Sequence, residues 1–305
     1  MKVDHNELLQ CDDELRLHPI MACIEDALAS SDAFVFADHL PLYETIFKSD
    51  LALQALKLSL QKIAANPDYQ LPRFVMEGTV LGWTILATEH FRVSIGVRHS
   101  AWAGVENGVA PDVEAPSNPE QPKMEPYPFD LFLGILSVPE LAVERYAVVP
   151  PLDESEEHRL EYLSEQVMFA GDSMYLAAGT DLTLSRLKGS MVYMEITGNS
   201  RISLLPRFDP RDKRFCGWVS GDPTASRIEI LTRVLADFDY QPGVEVVKRL
   251  THHRDHHVRW NSMRHLLRMS AGAGVERVRG AVSSDPNPDL RAVASQVLAQ
   301  LAAEA

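Results

Sequence analysis

The stretch MFAGDSMYLAAGTDLTLSRLKGSMVYMEI, residues 168–196, decides how the middle of this chain folds. It alternates short apolar runs with glycine and aspartate, a pattern typical of short strands joined by tight turns. Gly171 has the backbone freedom that a tight turn needs, and Asp172 can tie such a turn by bonding to nearby backbone. The stretch therefore predicts antiparallel β-structure.

Strand-like composition continues on both sides of this stretch. Residues 74–98 and 129–149 are rich in Val, Ile, Phe and Leu, which favour strands. Residues 109–128 contain six prolines, and proline cannot donate to a sheet ladder, so we expect a long loop there. Several short strands with such punctuation favour a closed or sandwiched antiparallel domain.

Helical patterns precede and follow this region. Apolar residues at three- and four-residue steps predict a helix over 51–65, begun by Asp50 and ended by Asn66 and Pro67. Helical periodicity returns after residue 222. We therefore predict a helical N-terminal segment (1–72) that packs on the β-domain, the β-domain itself (73–221) and a C-terminal helical module (222–305).

The C-terminal module contains an internal repeat of 32 residues. Arg259 in DHHVRWNSMRHLLRM aligns with Arg291 in NPDLRAVASQVLAQL, and one step back places Arg227 in register. The pattern resembles the short HEAT-like repeats of the phycobilisome-lyase type. Such helix pairs bury their apolar faces by stacking on neighbours, so this module is expected to bind a protein partner.

The central stretch resembles the second half of a cupin barrel. The similarity lies in Gly171-Asp172, Tyr175-Leu176, Ala178-Gly179 and the leucine that follows at 182. A helical segment before the barrel is also loosely similar to cysteine dioxygenase-type cupins. The resemblance implies an α+β protein with a cupin-like antiparallel β-barrel between the N-terminal helices and the HEAT-like module.

A metal-binding cupin carries a histidine shortly after its second glycine, and residues 180–184 of this chain contain none. The candidate ligands that remain are His90 and His99, with Asp181, Glu89 or Glu144 as the carboxylate; Asp181 is preferred. We predict no cofactor, with Fe(II) as the alternative. The sequence leaves open whether the chain is an enzyme, and the resemblance would then imply a non-haem metal dioxygenase.

A barrel without a metal can still hold a small ligand. Aromatic residues of the predicted strands are candidates to line it, although they can equally fill the core. The candidate ligand-binding residues are Trp83, Trp102, Tyr146, Tyr175 and Tyr193.

Basic residues are concentrated in the C-terminal module. Residues 225–305 carry 11 basic and 9 acidic residues, whereas the rest of the chain carries 18 and 34. We predict partner contacts through Arg254, Trp260, Arg264 and Arg268. Nucleic-acid binding through the same residues is a weaker alternative, because the acidic body repels phosphate.

Composition excludes several other classes. The chain has 305 residues, 46% of them hydrophobic, and three cysteines without a CxxC pair, which favours a reducing cytoplasm. No apolar run approaches the length of a membrane span, and the N-terminus is too acidic for a leader peptide. We therefore predict a cytoplasmic accessory or binding protein that contacts no membrane, with a homodimer through the barrel edge left open.

Overall fold

The computed structural model describes residues 10–29, 34–71, 74–77, 80–99, 124–151, 157–199 and 202–304. The chain divides into two compact units, Met1–Gly221 and Asp222–Ala305. The first combines helices with antiparallel sheets, and the second is helical. No helix of the described ranges is both long and apolar enough to cross a membrane.

Three helices open the first unit: α1 (Ile20–Ala29), α2 (Leu40–Lys48) and α3 (Leu51–Ala65). The bounds of α3 are those that the apolar pattern predicts. Asp50, however, does not cap α3 with its side chain. Its carboxylate instead accepts hydrogen bonds from the His18 ring at 2.8 Å and the Gln54 amide at 2.9 Å, which ties the start of α3 to the loop that precedes α1.

The described residues form twelve strands, which we number in chain order. They are β1 (Gln10–Cys11), β2 (Val75–Glu77), β3 (Val80–Ala87), β4 (Phe91–His99), β5 (Leu131–Ser137), β6 (Glu140–Val149), β7 (Arg159–Met168), β8 (Ser173–Leu176), β9 (Asp181–Lys188), β10 (Ser190–Gly198), β11 (Leu204–Phe208) and β12 (Phe215–Ser220). The large sheet has the order β1-β3-β4-β10-β5-β8, with β2 also on β3. A small sheet has the order β7-β6-β9, and β11 pairs with β12.

The large sheet is buried on both faces. Because side chains alternate along a strand, Val93 and Ile95 of β4 and Ile196 of β10 point to one face, where they pack with α1–α3. Met191 and Tyr193 of β10 point to the other face, where they pack with the small sheet. Helices and the small sheet therefore cover the two faces of the large sheet, and β11 and β12 pack against the other face of the small sheet.

The predicted turns of the decisive stretch are present. Gly171 has a φ of 95° and Gly179 a φ of 71°, both in the region that favours glycine. The Asp172 carboxylate accepts a hydrogen bond from the backbone N–H of Phe169 at 2.8 Å. These turns lead into β8 and β9 as expected.

The prediction of a closed barrel is wrong for the part of the chain that the structure describes. The large and small sheets share no ladder there. The chain passes between them four times: at Pro139 after β5, at residues 169–172 between β7 and β8, at residues 177–180 between β8 and β9, and at Gly189 before β10. These connections carry strands from one sheet to the other without continuing the hydrogen bonds, so the two sheets stack face to face.

The second unit contains five α-helices. They are α4 (Pro223–Asp237), α5 (Val244–Leu250), α6 (His256–Met269), α7 (Ala271–Ser284) and α8 (Pro288–Glu304). Val278 of α7 and Ala294 of α8 form one core with Met263 of α6.

The 32-residue offset is visible in the contacts of two arginines. Arg259 donates to the carbonyls of His253 and Arg254 at 2.9 and 2.8 Å. Arg291 donates to the carbonyls six and five residues before it, those of Asp285 and Pro286, at 2.7 and 3.3 Å. Each arginine therefore ties down the turn that precedes its own helix.

Arg259 also forms a buried ion pair with Asp285, whose oxygens lie 2.7 and 2.9 Å from the guanidinium. We expect Asp285→Asn to lower the free energy of unfolding of the helical unit by about 3–5 kcal/mol, because it leaves a buried cation without a counter-ion. Urea unfolding followed by far-UV circular dichroism measures the loss.

Asp237→Asn is the matched control, since Asp237 pairs with Arg268 on the exposed surface and should barely change stability. Equal effects of the two substitutions would contradict the stabilising role of the buried pair.

Candidate functional site

A group of polar side chains lies between the large and small sheets, among otherwise apolar residues. We call Arg98, Tyr127, Tyr193 and Glu195 the interior cluster. Glu195 follows Tyr193 by two residues on β10, so alternation places it on the same face, toward the small sheet. The neighbours of this face include Leu131, Ile135, Leu141 and Val143. The cluster therefore lies in an apolar setting.

Glu195 is the most unusual member of the interior cluster. Its neighbours across the ladder are Ser94 on β4 and Leu133 on β5. Burial raises the pKa of its carboxyl to about 7. No described residue forms a hydrogen bond or an ion pair with this carboxyl, so desolvation alone sets the direction of its pKa shift.

Two tyrosines lie near this carboxyl. Burial, together with the charge of Glu195, raises the pKa of Tyr193 and raises that of Tyr127 to about 12. The Tyr127 hydroxyl is hydrogen-bonded to the side chain of Thr183. The Tyr193 ring covers Gly96, where a Cβ atom would overlap it. Gly96 therefore makes the room that this ring occupies.

Two arginines bridge the sheets around the cluster. Arg98 of β4 donates to the hydroxyl of Ser185 on β9 at 3.0 Å. Arg145 of β6 lies 3.4 Å from the Asp181 carboxylate and 3.3 Å from the carbonyl of Tyr175 on β8. These bridges fix the spacing of the two sheets and place cationic groups at the interior.

The five predicted ligand-binding residues do not share one space. Tyr193 faces the interior between the sheets. Trp83 and Tyr175 instead pack on the helix side of the large sheet, and Tyr146 packs with the group that contains Phe208, on the other face of the small sheet. Trp102 lies outside the described residues. The structure does not bring the four described residues together, because aromatic residues occur on both buried faces of the large sheet.

The predicted metal ligands are also separated. His90 stacks on Phe34 with ring centroids 4.5 Å apart, just before β4, whereas His99 ends that strand. Nine strand residues span about 30 Å, so one ion cannot contact both rings. Asp181 is held by Arg145. The structure therefore does not bring His90, His99 and Asp181 together as the ligands of one metal ion.

The alternative carboxylates, Glu89 and Glu144, do not complete a metal site with the two histidines either. Glu89 lies 3.2 Å from His90 at the same loop. Glu144 is bound by Tyr146 at 2.5 Å and Arg186 at 2.7 Å. Within the described ranges, no group of three or more His, Cys, Asp or Glu residues is placed to hold a metal ion. Those residues do not fit an iron centre.

Sequence reasoning missed Glu195. The signal was present: in SMVYMEITG, residues 190–198, Glu195 is the single charged residue and stands between Met194 and Ile196. A carboxylate in a strand that is buried on both faces is expected to have a function or a partner. The search for histidine-based ligands passed over it.

The predicted partner-binding residues lie on α6 or just before it. Arg264 is exposed and Trp260 is half-buried. Arg254 forms an ion pair with Asp222 at 2.8 Å, and Arg268 forms one with Asp237 at 2.8 Å. Part of the positive charge of this region is therefore neutralised locally.

Comparison with known proteins gives fold neighbours only. No protein-family model matches the sequence, and no curated protein matches it either. Among solved structures, an RmlC-like cupin from Shewanella frigidimarina is 8% identical, with 45% of this chain and 88% of that chain covered and a TM-score of 0.26. The Cnp3 cupin domain of Schizosaccharomyces pombe is 10% identical, with 44% of this chain and 66% of that chain covered and a TM-score of 0.24.

A structure of HppE with Fe(II) is also similar: it is 10% identical, covers 43% of this chain and 57% of that chain, and has a TM-score of 0.25. Two of these three neighbours are cupins by name. The superpositions are weak, so the description of this fold rests on its own strand pairing.

The raised pKa of Glu195 gives stability a specific pH dependence. The folded protein holds this proton up to about pH 7, whereas an exposed glutamate loses it near 4.5. Stability is therefore greatest below the lower value and falls as pH rises through the upper one. We expect Glu195→Gln to remove this fall, so that the variant gains up to about 3 kcal/mol over wild type at pH 8 but little at pH 4.5.

Urea unfolding at several pH values measures this difference. Glu161→Gln, at an exposed position of β7, is the matched control and should follow the wild-type curve. A constant difference between Glu195→Gln and wild type across the pH range would contradict the assignment.

Proposed function

We propose that this protein is an accessory or binding protein with a cupin-like arrangement of sheets, which holds a small organic molecule between them. The observation that carries the proposal is Glu195, a half-buried carboxyl beside two tyrosines that has no hydrogen-bond partner in the described chain. A ligand that donates a hydrogen bond would supply the missing partner. The position of this carboxyl between the sheets then has a functional reason.

The chemistry of the cluster indicates the ligand class. A carboxylate next to aromatic rings favours an organic ammonium or a hydroxyl group, because the rings of Tyr127 and Tyr193 also attract cations. The surrounding leucine, valine and methionine side chains favour an apolar body. We therefore propose a small amine or alcohol with an apolar body.

Benzylamine is a suitable probe, since it joins an ammonium group to an apolar ring. We expect its binding to tighten about ten-fold from pH 6 to pH 8, because about one tenth of Glu195 is ionised one pH unit below its pKa of about 7. Isothermal titration calorimetry measures the affinity.

Glu195→Gln should weaken benzylamine binding at least ten-fold at pH 8 and remove its pH dependence. Glu161→Gln should change neither. Unchanged affinity in Glu195→Gln would overturn the proposed site, and so would a preference for benzoate over benzylamine.

We also propose that the C-terminal helices, as a HEAT-like module, contact another protein. The first of them, α4, exposes apolar side chains: Ile230 and Leu231 are each 62% exposed, and Phe238, just after the helix, is 81% exposed. Exposed apolar residues in such a group favour a protein contact over a nucleic-acid contact. The local pairing of Arg254 and Arg268 supports the same preference.

A photo-cross-linking residue at position 238, introduced in the native host, tests this contact. A discrete adduct from position 238 and none from the exposed position 276 on α7 is the expected result. No adduct at 238, or the same adducts from both positions, would contradict a contact at α4.

A further inference from the structure

A cavity lies on the opposite side of the large sheet from the interior cluster. It has a volume of about 340 Å³, which is within the range of small-molecule sites. Its walls come from α3, β3 and the segment around β1. The lining residues used below are Cys11, Asp12, Ala55, Leu58, Tyr69 and Trp83.

The cavity lies at a gap in the edge of the sheet. On its outer side, β3 pairs with β2 through residues 80–82 and with β1 through residues 86–87. Residues 83–85 have no strand beside them there among the described residues. The same three residues line the cavity, so the gap between the two short strands leaves the space open.

Trp83 gives this cavity a polar group without a partner. Its side chain is buried, with 8% of the residue exposed. Its indole Nε1 is fully buried, and no described residue accepts a hydrogen bond from it. Buried donors without acceptors are rare because each costs free energy, and a bound acceptor would remove that cost.

The other polar groups of the cavity indicate a neutral ligand. Asp12 is already bound by Lys62, whose ammonium lies 5.9 Å from the centre of the Tyr69 ring. Burial raises the pKa of the Cys11 thiol, which disfavours the reactive thiolate. The remaining walls, such as Ala55 and Leu58, are apolar. A charged ligand would lose its hydration here without gaining a free counter-ion.

We propose that this cavity binds a neutral, mainly apolar small molecule whose carbonyl or other acceptor takes the indole N–H of Trp83. The proposal goes beyond the interior cluster, because it concerns a different face of the sheet and uses none of the cluster residues. The opposite polarity of the two sites, a buried acceptor at Glu195 and a buried donor at Trp83, gives them different ligands.

Acetophenone is the probe, because it is a neutral aromatic ketone. In protein labelled with ¹⁵N at the tryptophan indoles, we expect acetophenone to shift the resonance that Trp83→Phe removes, with a dissociation constant in the millimolar range. Benzoate, which has a similar size but a negative charge, should leave that resonance in place at the same concentration.

Three variants complete the test by calorimetry. Trp83→Phe keeps a ring but not the donor, and should weaken acetophenone binding about three- to ten-fold. Ala55→Leu fills the cavity and should abolish binding. Trp218→Phe removes an indole at a half-exposed position of β12 and should leave binding unchanged.

A Trp83 resonance that acetophenone does not move, in folded protein, would overturn the proposal. The same conclusion would follow if benzoate bound as well as acetophenone, or if Ala55→Leu bound it normally. Because Ala55→Leu retains the Trp83 indole, its spectrum also shows whether this region stays folded.

Discussion

The burial of the large sheet on both faces is the constraint on which the first unit depends. Residues of β5 are apolar on both sides, with Leu131 and Ile135 on one and Phe132 on the other, so neither face can be left in water without a large loss of hydrophobic stabilisation. The N-terminal helices cover one face and the small sheet covers the other. Each candidate site lies between the large sheet and one of these covering layers.

The two sites differ because their covering layers differ. Between the two sheets, Tyr193 and Glu195 are held at fixed positions by the ladders on both sides of β10. On the helix side, the cavity at Trp83 lies beside residues 83–85 of β3, which pair with neither β1 nor β2 among the described residues. In both places a polar group has no hydrogen-bond partner in the described chain: a half-buried carboxyl at Glu195 and a buried indole N–H at Trp83. A missing partner costs stability in the absence of a ligand.

Sequence reasoning found the elements better than it found their arrangement. The bounds of α3, the turns at Gly171 and Gly179 and the 32-residue offset of Arg259 and Arg291 all follow from local rules of propensity, glycine conformation and periodicity. The assignment of β5 and β6 to different sheets does not follow from local rules, because long-range packing determines which strands pair. Residues 100–123, with most of the proline-rich stretch, lie outside the described part of the chain.

The same difference explains the outcome for the site residues. An aromatic residue in a strand can face either layer when both faces are buried, so Trp83, Tyr146 and Tyr193 could not be assigned to one space by residue type. A carboxylate in that position is more informative, because its burial costs far more than that of a phenol or an indole. Glu195 therefore carried the stronger signal in the sequence, and a search for buried charge would have found it before a search for metal ligands.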